Sequence, residues 1–447
     1  MSKYIGDKNY YKTLLTIALP LALTNLLQSC MSIVDTIMVS GIGMVTAVGN
    51  AGNIIQLTDG IGWGIMSGIA VYAAQFFGAN QKDNLARTFG LCLTLLMANC
   101  IFWVLMVFFF GESLLRFYLN DAEIIKYSLE YLRIDILSLI PAYIAYACST
   151  MYRSMHNTRL PFVISIIASI INVIVNYYCL YIIKIGVRGA AIGTLLSQNI
   201  ACLIYVILIF KDKPDFFIPN KLFDLHLGFI KPVLETTWPI IVNESFFGFG
   251  MSLFNKAYGL LGTRAMDAIY VANQVFNMFT FAIWGYGSAV SIMAGTKLGE
   301  GKIDEAIKES KWQLGSGFIL GIIMSLIMTG FAGIYLKFFS ISDVTTYNNA
   351  RNILYVFALK LFIRMFTYMI FSTLKAGGDS KILNLYDSGF MYMIGLPLAF
   401  IGAYCGISDI ALLVLLVQIE QVIRLIFSLK RFNSYIWAKD LTKLVVS

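Results

Sequence analysis

One carboxylate stands inside a long apolar run. In the stretch MSIVDTIMVSG, residues 31–41, Asp35 is the only acidic or basic side chain between Thr13 and Val39. An acid at the centre of a membrane-spanning helix costs about 2.5–3.5 kcal/mol on insertion scales, so such residues usually face a cavity and carry function. In PFVISIIASIINVIVNYYCLY, residues 161–181, Asn172 and Asn176 are one helical turn apart and share a face. At a rise of 1.5 Å per residue, Asp35 lies roughly 34 Å beyond Lys12, and the two asparagines lie roughly 17 and 23 Å beyond Pro161. Allowing for a bend at Pro20, the three could meet in the outer half of the membrane. Asp35 has no basic residue of its own half of the chain at that depth. A carboxyl withdrawn from water in this way could load and lose a proton; the plainer alternative is a permanently protonated, hydrogen-bonded group.

A second polar set lies later in the chain. Glu244 follows Lys231 by thirteen residues, and Arg364 follows Arg351 by thirteen on a span entering from the other side. Their depths agree, so a Glu244–Arg364 ion pair is sterically possible. Asp387, six residues from Lys381, should sit nearer the cytoplasm. Glu420 and Arg424, four apart, suit a local helix pair. Seven cysteines form no C-x-x-C motif and two histidines fall in connections, so neither a disulfide framework nor a metal site is expected. No cofactor is expected. No paired acids on one helix, H-x-x-x-H or nucleophile–base constellation points to an enzyme.

The elements that must position these groups are membrane helices. Of 447 residues, 58% are hydrophobic and 13% charged, against about a quarter charged in soluble proteins. Apolar stretches of the roughly 20 residues needed to cross a bilayer recur throughout. Twelve spans are expected, at about 13–37, 45–75, 88–110, 127–150, 160–183, 188–210, 231–257, 265–296, 311–336, 352–373, 382–404 and 408–429. With a cytoplasmic N-terminus, the connections on that side and both tails hold 21 of the 33 lysines and arginines. That bias places both termini in the cytoplasm of a multi-pass plasma-membrane protein. The net charge of +8 is thus topological and does not point to nucleic acid.

The chain also repeats itself. A shift of 219 places Pro20 on Pro239. A shift of 221 superposes Ala47 on Ala268, Ala51 on Ala272, Trp63 on Trp284, Gly64 on Gly285, Ser67 on Ser288, Gly78 on Gly299 and Asp83 on Asp304. Six spans per half start both halves on the same side, so a pseudo-twofold axis along the membrane normal should relate two six-helix lobes. The expected organisation is an N-lobe (1–210), a cytoplasmic linker (211–230), a C-lobe (231–430) and a cytoplasmic tail (431–447). Pro20 and Pro239, at matched depths, are candidate hinges, or else static kinks. Gly60, Gly64 and Gly68 would allow close helix packing in span 2.

The segments LPLALTNLLQSCMSIVDTIMVSGIG, AAQFFGA, HNTRLPF, INVIVNYY, GGDSKI and QIEQVIRLIFSLKRFNSYIWAKDL occur in order along nearly the whole chain. Together with the 6+6 repeat they resemble the multidrug and toxic compound extrusion (MATE) family. The last of them, with PIIVNESFFGFGMSLFNKAYGLLG, is most similar to a branch found in Gram-positive bacteria. The resemblance implies an antiporter that exports amphipathic, often cationic, small molecules in exchange for inward H⁺ or Na⁺. A monomer in the lipid bilayer is expected.

In proton-coupled members an acid on span 1, here Asp35, works with an Asn and an Asp on span 5. Asn172 matches the Asn, while Asn176 stands in place of the Asp. That departure leaves a single-carboxylate site in which Asn oxygens could also ligate Na⁺. Glu244 lies near the acid of sodium-coupled members, and Arg364 stands about where their span 10 acid would be. The nearest alternative is a flippase for lipid-linked saccharides; a membrane-embedded enzyme is the alternative of another class.

Overall fold

A computed structural model describes residues 4–119, 121–337 and 343–445. It is all-α, with no strand among the described residues. The long helices are α1 (Lys8–Ser40), α2 (Val45–Gly78), α3 (Lys82–Arg116), α4 (Ala122–Ser154), α5 (Arg159–Ile182) and α6 (Val187–Asp212). After the linker come α7 (Leu227–Gly259), α8 (Thr263–Gly299), α9 (Ile303–Gly330), α10 (Val344–Ala376), α11 (Ser380–Tyr404) and α12 (Ile410–Asn433). All but α7 are apolar enough over 18 residues to be recognised as spans. Trp238, Pro239, Asn243 and Glu244 dilute the apolar run at the centre of α7.

The helix starts follow from sequence. Asp121 accepts from the Glu123 and Ile124 amides at 2.9 and 3.1 Å, and Asp409 from the Ala411 amide at 2.8 Å. Asp343 accepts from the Thr346 amide at 2.8 Å. Each satisfies amides that the first helical turn leaves without intrahelical partners.

The chain divides into two compact units. The first comprises Leu23–Ile241 and Thr442–Ser447; the second comprises Met1–Ala22 and Val242–Leu441. They differ from the halves 1–210 and 231–430 in two segments, because α1 and α7 each contribute to both units. The divisions fall two residues beyond Pro20 and two beyond Pro239, at positions equivalent under the 219-residue shift. Each proline removes one intrahelical hydrogen bond at that point.

Within the first unit, the start of α7 packs on α2. A methyl group added to Gly64 would lie 2.5 Å from Ile241 Cα, and one on Gly68 would meet the Thr237 side chain. Tyr72 donates to the Pro232 carbonyl at 2.9 Å in the same crossing. Gly60, by contrast, faces open space. Within the second unit, the start of α1 packs on α8 in the same manner: a methyl group on Gly285 would lie 2.5 Å from Ala22 Cα. The repeat-related glycines Gly64 and Gly285 therefore mark equivalent helix crossings.

Gly64→Val should cost on the order of 1–3 kcal/mol through overpacking against backbone, read as a lowered Tm. Gly60→Val should leave Tm nearly unchanged.

The linker docks on the first unit, with Arg87 pairing Asp224 at 2.5 Å and Lys82 pairing Asp215 at 2.8 Å. Arg87 holds the Asp224 carboxyl below its usual range. The start of the tail docks on the second unit, where Arg431 pairs Asp379 at 2.6 Å and Trp437 is fully buried.

Candidate functional site

In the first unit, α1 and α5 bring their polar residues together. The Asn176 amide donates to Asp35 Oδ1 at 2.9 Å and to Asn172 Oδ1 at 3.0 Å. Asn172 and Asn176 are buried, at 8% and 1% exposure, and Asp35 is partly buried. The four-residue spacing on α5 sets the two amides one above the other. Gly193 of α6 makes room for Asn176, whose Oδ1 an added methyl group would overlap. Beyond these residues α5 ends in a π-helical turn, Tyr178–Ile182, and Tyr181 donates to the Met38 carbonyl at 2.8 Å. The end of α5 is thereby tied to the end of α1.

Asp35 forms no ion pair among the described residues. Its partner is a neutral amide, which can donate to the carboxylate and still accommodate the protonated acid. The site can therefore change charge without losing its scaffold. A fixed cation beside it would have locked it ionised.

Two further acids of the same unit were missed in reading the sequence. Asp135 on α4 is 6% exposed, and Asp59 lies on α2. Asp135 is in the field of Asp59 and Asp35, and Tyr131, one turn away, interacts with Asp135 and Thr194. The α2 backbone beside Asp59 is held by Tyr143, which donates to the Thr58 carbonyl at 3.1 Å and accepts from Asn99 at 2.9 Å. Asp59 carried the same signal as Asp35: it is the only charged residue of α2. Asp135 lies two residues from Arg133 and so reads as part of a span end.

The second unit holds a different arrangement. Asp387 sits in a π-helical turn, Leu385–Gly389. Its Oδ1 accepts from Arg424 at 2.5 Å and from Arg364 at 3.1 Å, and its Oδ2 from Asn243 at 3.2 Å. Arg424 also donates to the Asp387 carbonyl at 2.8 Å and to Glu420 at 2.7 Å. Asn243 Oδ1 in turn accepts from the Ser388 hydroxyl at 2.6 Å. The Glu420–Arg424 pair on α12 is thus present and extended through Asp387 on α11 to Arg364 on α10 and Asn243 on α7.

The Glu244–Arg364 pair is not what forms: Arg364 turns to Asp387, and its guanidinium lies 5.3 Å over the Phe247 ring. Glu244 feels Lys375 most, then Asp387 and Arg364. Matched depth does not fix which side of a helix faces which neighbour, and the π turn carries Asp387 to the arginines first. Lys360 lies 4.8 Å over both Phe276 and Phe357, a cation held by ring faces. Asp387 and Glu420 of this unit are paired with fixed arginines, whereas Asp35, Asp59 and Asp135 of the first unit form no ion pair among the described residues.

Pro20 and Pro239 stand inside α1 and α7, two residues before the points where these helices pass from one unit to the other.

Comparison with known proteins agrees with this architecture. The MatE family model matches residues 20–178 and again 239–401, one match in each half of the repeat. The chain is 24% identical to the "Probable multidrug resistance protein YoeA" of Bacillus subtilis, over 86% of this chain and 84% of that one. It is 22% identical to "Multidrug and toxin extrusion protein 1" of Rattus norvegicus, over 88% of this chain and 70% of that one. A solved structure described as the outward-facing conformation of a multidrug resistance MATE family transporter superposes with a TM-score of 0.86 at 17% identity. It covers 97% of this chain and 98% of its own. With the twelve-helix fold and the double family match, the chain belongs to the MatE family of multi-pass membrane transporters, the multidrug and toxic compound extrusion proteins.

Proposed function

We propose that this transporter is a secondary antiporter that exports amphipathic, often cationic, small molecules in exchange for inward H⁺ or Na⁺. It would work as a monomer in the plasma membrane with both termini cytoplasmic. The observation that carries this reading is the Asp35–Asn176–Asn172 chain, a carboxylate supported by amides and uncompensated by any ion pair among the described residues. With Asp35 ionised, the first unit offers negative charge to a cationic substrate. Arrival of the coupling ion cancels that charge and releases the substrate outward. Alternating access would follow from bending of α1 near Pro20 and of α7 near Pro239, where the helices pass between units. One charge crossing 100 mV is worth about 2.3 kcal/mol, enough for roughly a fifty-fold gradient of a neutral compound.

A flippase for lipid-linked saccharides would present free cations to phosphate. Here Arg364 and Arg424 are committed to Asp387 and Glu420, which disfavours that reading. Dye accumulation in cells tests the two. Expression should lower accumulation of a cationic dye, and a protonophore, or removal of external Na⁺, should restore it. Accumulation independent of expression, with lipid-linked intermediates building up on deletion, would favour the flippase.

A further inference from the structure

Asn176 on α5 brings an amide, not a carboxylate, to Asp35. The same unit nevertheless holds two acids on other helices. Asp135 on α4 is more than nine-tenths buried; Tyr131, one turn away, hydrogen-bonds its carboxyl, yet its Oδ1 has no hydrogen-bond partner. Asn176, 1% exposed and already bonded to Asp35 and Asn172 through its amide nitrogen, likewise keeps an Oδ1 without a partner.

Asp135 lies about 20 Å along α4 from Ala122, and Asp59 about 21 Å along α2 from Val45. These helices both start on the face of the unit where α1 ends, so the two acids lie at one depth. Asp35, five residues before the end of α1, lies closer to that face. The groups acting on Asp135 are Asp59 from α2, Asp35 from α1, and Tyr131 from its own helix. Tyr146, also on α4, feels Asp59 and Asp135, and Arg153 as well. From α6 come Thr194, which meets Tyr131, and Gln198, which meets Tyr146. From α3 comes Asn99, committed to Tyr143. No lysine or arginine forms an ion pair with Asp135, Asp59 or Asp35 among the described residues.

Three carboxyls with no paired cation cannot all stay charged in a membrane interior. An acid oxygen buried without a donor is the place where a proton is missing from the picture, because a protonated carboxyl can donate where a carboxylate cannot. We propose that Asp135 on α4, in the field of Asp59 on α2, is a second proton-binding site of this unit. Each site takes up one proton on one carboxylate, which becomes the neutral acid. For transport this adds a second group able to exchange a proton alongside Asp35, a consequence that rests on Asp35 being the coupling group.

Infrared difference spectra of the purified full-length chain in lipid nanodiscs, recorded from about pH 5 to about pH 8, read the carboxylic acid C=O absorption directly. The wild type should show at least two titrating carboxyl components. Asp35→Asn should remove one and leave another, which Asp135→Asn removes. Asp135→Glu should keep that component at a shifted frequency. Titrating bands in folded Asp135→Asn identical to those of the wild type overturn the proposal. If Asp135→Asn does not fold, the Glu variant decides: a shifted band supports the site, and an unshifted one overturns it. Normal uphill export by Asp35→Asn would defeat the coupling role of Asp35 while the spectra still decide Asp135.

Discussion

Asp35→Asn should abolish ion-driven export while leaving folding and membrane insertion intact. The expected effect is large: the substrate concentration ratio sustained by an imposed gradient falls from tens to about one. Asparagine keeps the size of the side chain and can still accept from the Asn176 amide, which in the wild type bonds Asp35 at 2.9 Å. Only the change of charge is lost. Transport assays should therefore fail in a protein whose Tm and size-exclusion profile match the wild type. Normal efflux would remove Asp35 from the mechanism. Asp35→Glu should recover part of the activity, since a longer carboxylate can still titrate.

Arg424→Ala should have the opposite character, a loss of folded protein. Arg424 is 1% exposed and joins Asp387 to Glu420 through both guanidinium edges. Removing it leaves Glu420 without its cation and Asp387 with Arg364 alone. Breaking a buried pair of this kind costs about 3–5 kcal/mol. The measurable outcome is a sharp drop in Tm, or failure to recover monodisperse protein from detergent. Arg364→Ala should do less harm, because its bond to Asp387 is longer and its side chain more exposed, at 16% against 1%. Equal damage from the two variants would contradict this assignment of the network as scaffold.

The contrast between these substitutions reflects what the sequence could and could not reveal. The twelve helices follow from recurring apolar stretches of spanning length, least plainly for α7. The Asp35–Asn172–Asn176 grouping follows from one acid in an apolar run and two amides one turn apart. What depth and spacing leave open is azimuth, the direction each side chain takes around its helix. Arg364 therefore met Asp387 rather than Glu244, and a π turn at residues 385–389, which no spacing rule announces, helped decide it.

Asp59 was legible by the same rule as Asp35, as the one charged residue of α2, beside glycines whose spacing signals close packing. Two of those glycines do pack closely, against the start of α7. Asp135 was hidden by Arg133, which marks a helix end in a one-dimensional reading although both lie well inside α4. The passage of α1 and α7 from one compact unit to the other was also beyond reach. An internal repeat aligns halves of a sequence and cannot tell which half a helix segment packs against.

The central claim is that an ion gradient, acting through the uncompensated carboxylate of the first unit, drives a cationic compound uphill. Proteoliposomes containing the purified chain, given a pH gradient or a Na⁺ gradient separately, test it most directly with a fluorescent cationic dye. At least one of the two gradients should concentrate the dye against its own gradient, and Asp35→Asn should erase the effect. Dye that merely equilibrates under both gradients, in wild-type vesicles that bind and exchange it, would contradict the account.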